Sequence, residues 1–284
     1  MSQTNKAIQQ KSTNSNAKGV KVLLISLGVI FIFIMLVIPM IAVITYAFQD
    51  GLKAYQEAIF DPYTIKALQL TLLATVTAVA INTVFGLFAA WTITKFKFRG
   101  KQLLTTLIDI PFAISPVIAG LVLVLTFGKI GWAYDFLNAY DIKIVFAVPG
   151  IILATVFVTF PFISRELIPV LSAQGTDEEE AAALMGAGGF NIFRKVTLPH
   201  IKWALLYGIV LCTARAMGEF GAVSVISGHL RGKTNTLPLH VEILYNDFQL
   251  TSAFAVASIL VILAVIILIL RNLIEYKAKK AGEK

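Results

Sequence analysis

The sequence predicts an all-α polytopic membrane protein with six transmembrane helices, and three observations carry that expectation. Of 284 residues, 57% are hydrophobic and 14% charged, and the mean hydropathy is +0.81. A soluble domain of this length has no use for so much apolar surface, so the solvent it suits is a bilayer. Apolar runs with few or no charges recur six times, at Val22–Phe48, Ala67–Thr94, Gln102–Gly128, Val145–Ser164, Trp203–Gly228 and Leu250–Leu270. Each reaches the roughly 20 residues that a helix needs to cross a hydrocarbon core about 30 Å thick. The connecting segments, finally, alternate between strongly basic and charge-balanced.

The elements follow in order. Residues 1–21 are rich in Ser, Thr, Asn, Gln and Lys without an apolar period, so a disordered tail is expected. The first run is too long for a signal-peptide apolar region and lacks a small-residue cleavage site, so it is read as a retained span. Helices are expected throughout because a spanning segment must pair its own backbone polar groups. Lys6, Lys11, Lys18 and Lys21 precede the first span, and Lys95, Lys97, Arg99 and Lys101 follow the second, with no acid in either group. The C-terminal tail carries Arg271, Lys277, Lys279, Lys280 and Lys284 against Glu275 and Glu283. In the alternate loop Lys129 and Lys143 are balanced by Asp135 and Asp141. Basic loops stay cytoplasmic, so both termini are expected inside, around one membrane domain over 22–273 with a short tail over 274–284. The net charge of +8 is thereby an orientation signal and a contact for anionic lipid, not a nucleic-acid surface. Pro111 and Pro116 are expected to kink the third span. Cys212, the single cysteine, lies in an apolar run and is expected to behave as a small buried hydrophobe.

The longest polar interval, 165–202, joins the fourth and fifth spans and should be cytoplasmic. Thr176 and Glu179 have capping-box spacing, and Asp177 and Glu178 load the first helical turn with negative charge. Ala181, Ala182 and Ala183 propagate the helix and Gly186 ends it. Ala181, Leu184 and Met185 share one face, so a short helix presents an apolar stripe. A second short piece, Asn191–Lys195, carries Phe193, and Pro199 marks the start of the fifth span. Glu180-Ala181-Ala182, then Gly186, then Val196-Thr197-Leu198-Pro199 resembles the E-A-A-x3-G-x9-I-x-L-P loop of ABC-importer permeases, departing only at Val196. The resemblance implies a type I importer permease fold. It also implies that Glu180, Ala181, Ala182, Gly186, Leu198 and Pro199 belong to a coupling element gripped by a separate ATPase.

Three ionisable residues fall inside spans, where they are costly and usually functional: Asp109, Arg215 and Glu219. Arg215 and Glu219 are four apart and can pair on one helical face. Ala204, Gly208, Cys212 and Ala222 share their stripe, which suggests a face turned to other helices or a pore. At about 1.5 Å per residue, Arg215 lies roughly 18 Å from Trp203 and Asp109 roughly 10 Å into the third span, so contact between them is conceivable. A buried salt bridge that fixes register and a pore charge that receives an anion are both compatible with the pattern.

The segment Ala214-Arg-Ala-Met-Gly-Glu-Phe-Gly-Ala222 is similar to one in oxyanion permeases for sulfate, thiosulfate, molybdate and tungstate. Leu107–Gly120, Phe160–Val170 and Val223–Gly228 resemble the W-type subunit of sulfate/thiosulfate permeases. What the family implies is uptake of sulfate or thiosulfate across a bacterial inner membrane, with molybdate or tungstate as the rival cargo. The partners it implies are two copies of an ATP-binding subunit that holds ATP and Mg, a second homologous permease chain and a periplasmic sulfate-binding protein. No cofactor or catalytic residue is expected in this chain. Gly228–Thr234 imitates a phosphate-binding loop but has three residues between its glycines where four are needed. His200, His229 and His240 are scattered, so neither metal nor protease chemistry is suggested, and an intramembrane enzyme or a stand-alone channel stays a remote alternative. Leu237–Phe248, with Val241, Leu244, Tyr245 and Phe248 at helical spacing, is expected at the outer interface or dipping between helices.

Overall fold

The structure is a computed structural model that describes residues 19–282. Most of the expected N-terminal tail, with Lys6, Lys11 and Lys18, and the last two residues, Glu283 and Lys284, lie outside the described residues. Every regular element among the described residues is a helix.

Helix α1 runs over Gly19–Ala47, so it already includes Gly19–Lys21. It widens into a π turn at Phe33–Val37, where Ile38 donates its N–H to the Phe33 carbonyl. Pro39 follows at once; its ring crowds the carbonyl four residues back, and the wider turn absorbs that clash. After the short α2 (Gly51–Ile59) comes α3 (Pro62–Lys95). Asp61 starts α3, its Oδ1 accepting the N–H groups of Tyr63 at 2.8 Å and Thr64 at 3.3 Å, and Pro62 occupies the first turn. At 34 residues α3 is about 50 Å long and must tilt or project beyond a bilayer.

The third span is not one helix. It is α4 (Lys101–Ala113) and α5 (Pro116–Phe127), which meet at 108°. The break falls before Pro116, not at Pro111, which lies inside α4. A residue before proline is pushed to extended backbone, and Ser115 sits at ψ 133°. After α6 (Tyr134–Ala139) the fourth span is α7 (Val148–Gln174). Residues 165–174, read from sequence as part of the polar loop, continue this helix. The loop holds α8 (Asp177–Leu184), and α9 (Gly189–Met217) runs through a π turn at Phe193–Thr197 into the fifth span.

The fifth span is also shorter than its apolar run. It ends at Met217, and α10 (Gly221–Ser227) follows after Gly218-Glu219-Phe220. Two half-helices, α5 and α10, therefore follow two breaks, and they pack directly together. A Cβ built on Gly120 of α5 would lie 2.5 Å from the Ala222 carbonyl oxygen of α10, so only glycine permits this approach.

Helix α11 (Leu237–Asn246) dips between helices. Leu237, Leu239, His240 and Leu244 are buried, while Tyr245 and Phe248, expected on the same face, are exposed. The Leu237 N–H donates to Thr71 Oγ1 of α3 at 2.7 Å. The last span, α12 (Leu250–Gly282), runs well past Leu270.

The centre of the bundle is α3, α7 and α9. Ala90, Ile163, Leu167, Leu171, Ile201 and Cys212 form one buried cluster, so Cys212 is the inert hydrophobe expected. A second cluster joins Leu70 and Ala74 to Ile151, Val158, Val223, Ile226 and Leu239. Buried Asn82 donates to Thr159 Oγ1 at 2.8 Å and to the Val156 carbonyl at 3.2 Å, a polar bond between spans. By contrast, none of the most apolar stretch of α1 is buried against the rest of the chain.

Candidate functional site: a braced loop helix and two charged breaks

The loop helix α8 ends in a Schellman turn. Ala187 donates to the Ala182 carbonyl at 3.0 Å and Gly186 to the Ala183 carbonyl at 2.9 Å. Gly186 has φ +84°, which β-branched residues scarcely adopt. Glu180 and Ala181 are exposed and Ala182 faces inward. Leu184 and Met185 are 90% and 82% exposed, and Phe190 beyond the turn is exposed as well. Leu198 and Pro199 form the first turn of the long α-helical part of α9, with Leu198 packed on the central cluster.

The expected capping box does not form. Thr176 makes no side-chain cap bond because its backbone is already near-helical (φ −120°, ψ −6°), whereas a capping residue is extended. Glu179 turns inward instead. Its Oε2 lies 3.1 Å from Lys95 Nζ, and its Oε1 accepts from Thr197 Oγ1 at 2.6 Å. Lys95 also donates to the Gly175 carbonyl at 2.5 Å. Charge-assisted bonds of this kind are stronger than a neutral cap, which is why the carboxylate prefers the lysine. His200 Nε2 lies 2.7 Å from Glu178 Oε2 on the outside of the same junction. The loop helix is thus tied to the end of α3 and to the start of the fifth span, while its apolar face is left open. Lys95 is basic-loop sequence and gave no sign of this role; only its approach to Glu179 reveals it.

Four of the ionisable residues within the spans form two pairs. Arg215 Nη1 lies 2.5 Å from Glu219 Oε2, the pair expected from their spacing. Glu219 sits beyond the helix end, in the break, and its Oε1 accepts the Ala222 N–H at 2.8 Å. Its side chain is 1% exposed, that of Arg215 31%. Gly208, Cys212 and Ala222 are buried among other helices, as the small-residue stripe suggested. Asp109 does not meet Arg215. It accepts from Arg165 Nε of α7 at 2.8 Å. The sequence places Arg165 in the polar loop, so this partner is not evident from it. Irregular backbone at membrane depth survives only where protein buries it or water lines it. Beyond the breaks α5 and α10 pack on each other, Glu219 is buried, and Ser115, Gly218 and Phe220 stay exposed.

Residues 82–280 match the family model described as "Binding-protein-dependent transport system inner membrane component". The chain belongs to this family. The sulfate transport system permease protein CysW of Escherichia coli (strain K12) is 47% identical over 92% of the chain and 90% of its own length. CysW of Synechocystis sp. (strain ATCC 27184 / PCC 6803 / Kazusa) is 48% identical over 91% of the chain and 94% of its own length. Among solved structures, a bacterial ABC transporter involved in the import of the acidic polysaccharide alginate superposes with a TM-score of 0.77. It covers 95% of this chain and 99% of its own at 16% identity, a likeness of fold. The chain is therefore a multi-pass, all-α ABC-importer permease of the CysW type, and the E-A-A loop sits in this permease as the braced, outward-facing helix α8.

Proposed function

We propose that this permease is the membrane subunit of an ATP-driven importer for sulfate and thiosulfate in a bacterial inner membrane, with both termini cytoplasmic. The observation that carries the reading is α8, a short helix braced to two spans that exposes Leu184 and Met185 to nothing in its own chain. Such a face suits the groove of an ATP-binding subunit, which would hold ATP and Mg. The chain would contribute no ATPase or other catalytic site of its own. The family description supports delivery by a binding protein, and the identity to sulfate permeases supports the cargo. A second, homologous permease chain would pack beside this one. Arg215 with Glu219 would attract the dianion without holding it, because the arginine is partly neutralised.

In the mechanism, the binding protein presents sulfate at the outer opening. Closure of two ATP-binding subunits pulls α8, and the Lys95–Glu179–Thr197 bonds carry that pull into α3 and α9. Rigid spans tilt, one side closing as the other opens. Co-purification from mild detergent should recover an ATP-binding subunit, and sulfate should compete for uptake better than molybdate. Molybdate as the preferred cargo would replace the sulfate reading. Loss of the ATPase from an otherwise intact complex would remove the coupling reading.

A further inference from the structure

We propose that Arg165 is an anion-binding residue of the translocation path, and that sulfate occupies it by displacing the Asp109 carboxylate. The proposal rests on the sulfate-importer reading and adds a station that the sequence did not single out.

Depth comes first. At about 1.5 Å per residue, Asp109 lies about 12 Å along α4 from Lys101, and Arg165 about 14 Å along α7 from Gln174. The Lys95 bond to the Gly175 carbonyl sets the end of α3 level with the end of α7, and the Arg165–Asp109 bond itself brings both side chains to one depth. Asp109 lies within the third apolar run, while Arg165 directly follows the fourth, which ends at Ser164, so the pair sits near the loop-side edge of the apolar layer. The side chains of Arg165 and Asp109 are 52% and 38% exposed. Charges at this depth face water, headgroups or another chain rather than lipid tails. The pair also sits beside the α4–α5 break, where the third span stops being a plain helix.

Chemistry comes next. The Arg165 guanidinium is always charged, and one face lies over Phe112, with Cζ 4.3 Å from the ring centroid. Its Nε is engaged by Asp109, while both Nη groups have no bond among the described residues. A fork of free donors, held flat against a ring, matches two oxygens of a tetrahedral oxyanion. Asp109 has no other partner among the described residues, and so accessible an ion pair is weak. A dianion can take its place, and the returning carboxylate then helps expel it. Arg215 differs: its Glu219 is buried and also holds the Ala222 N–H, so that carboxylate is not free to leave.

The test uses the complete importer, with its second permease, ATP-binding subunits and binding protein, in proteoliposomes. Arg165→Gln with Asp109→Asn keeps a neutral hydrogen bond between the helices. It should assemble normally, and sulfate uptake per complex should fall about tenfold or more, as expected for losing a charge-assisted bond. Asp109→Asn alone leaves the arginine unopposed. Its uptake should be inhibited by lower sulfate on the inner side than the wild type needs. Wild-type uptake and unchanged inner-side inhibition in these variants would overturn the proposal. So would a loss confined to assembly, with normal transport per assembled complex. If the unaltered importer carries molybdate and excludes sulfate, the cargo reading fails, and the same variants measured with molybdate still decide the role of Arg165.

Discussion

Glu179 and Glu180 are neighbours in the chain with opposite surroundings. Glu180 faces solvent on the exposed helix; Glu179 is bonded to Lys95 and Thr197 at the base of it. The Lys95 and Glu179 side chains are only 7% and 16% exposed. Removing one partner from so buried a pair strands the other, at a cost of about 3–5 kcal/mol where burial is complete and less here. Lys95→Ala should therefore lower the melting midpoint of the detergent-solubilised complex more than Lys95→Met combined with Glu179→Gln. Equal losses would show that the pair contributes nothing. Both variants should keep the ATP-binding subunit bound yet transport several-fold less per ATP, measured as uptake against hydrolysis. Gly186→Val acts differently. No atom stands within 4 Å of the added Cβ, so the penalty is backbone strain alone, about 1–2 kcal/mol at a left-handed position. The expected outcome is a distorted Schellman turn and loss of ATPase co-purification; an unchanged yield and unchanged uptake would refute it.

The helices depend on their breaks as much as on their apolar content. Pro116 stops α4 and starts α5, and Gly120 then lets α5 lie against α10. Gly120→Val would drive carbon into the Ala222 backbone, which cannot rotate away. The complex should lose several degrees of melting midpoint, whereas Gly188→Ala, with open space around it, should not. Helix α11 carries a pH-dependent contact. His240 is buried, its Nε2 lying 3.2 Å from Thr64 Oγ1. Burial and, secondarily, Arg231 hold its pKa below the ordinary histidine value of 6.5, with Asp61 opposing. The folded protein thus binds this proton less readily than the unfolded chain. The contribution is full above 6.5 and is lost as pH falls from there towards the lowered value. A melting curve taken across that acidic range should drop for the wild type and be flatter for His240→Gln.

Among the described residues, α8 is fastened to a bundle whose α1 flank is uncovered. Cys212, the only cysteine, is buried, so Leu184→Cys introduces a single reactive thiol. In intact cells that thiol should resist membrane-impermeant reagents and should react in inverted vesicles. Labelling from outside would put α8 where no ATPase can reach it. The same reagent would fix the orientation that the basic loops indicate.

The span count was legible because hydropathy is local and additive: each apolar run needs only its own residues to become a helix. The Arg215–Glu219 pair and the exposed α8 were legible for the same reason, since helical spacing and the E-A-A pattern lie within short stretches. Pairing at a distance was not. Asp109 chose Arg165 over Arg215, and Glu179 chose Lys95 over its own helix end, because partners far apart in sequence meet at one depth. Nor did hydropathy reveal that the third and fifth spans are broken, since each apolar run continues across its break. The sequence by itself determined a helical membrane protein and the class of machine it serves. The packing of helices alone decided which charges neutralise each other and which stay open, because electrostatic energy depends on distance in space rather than along the chain.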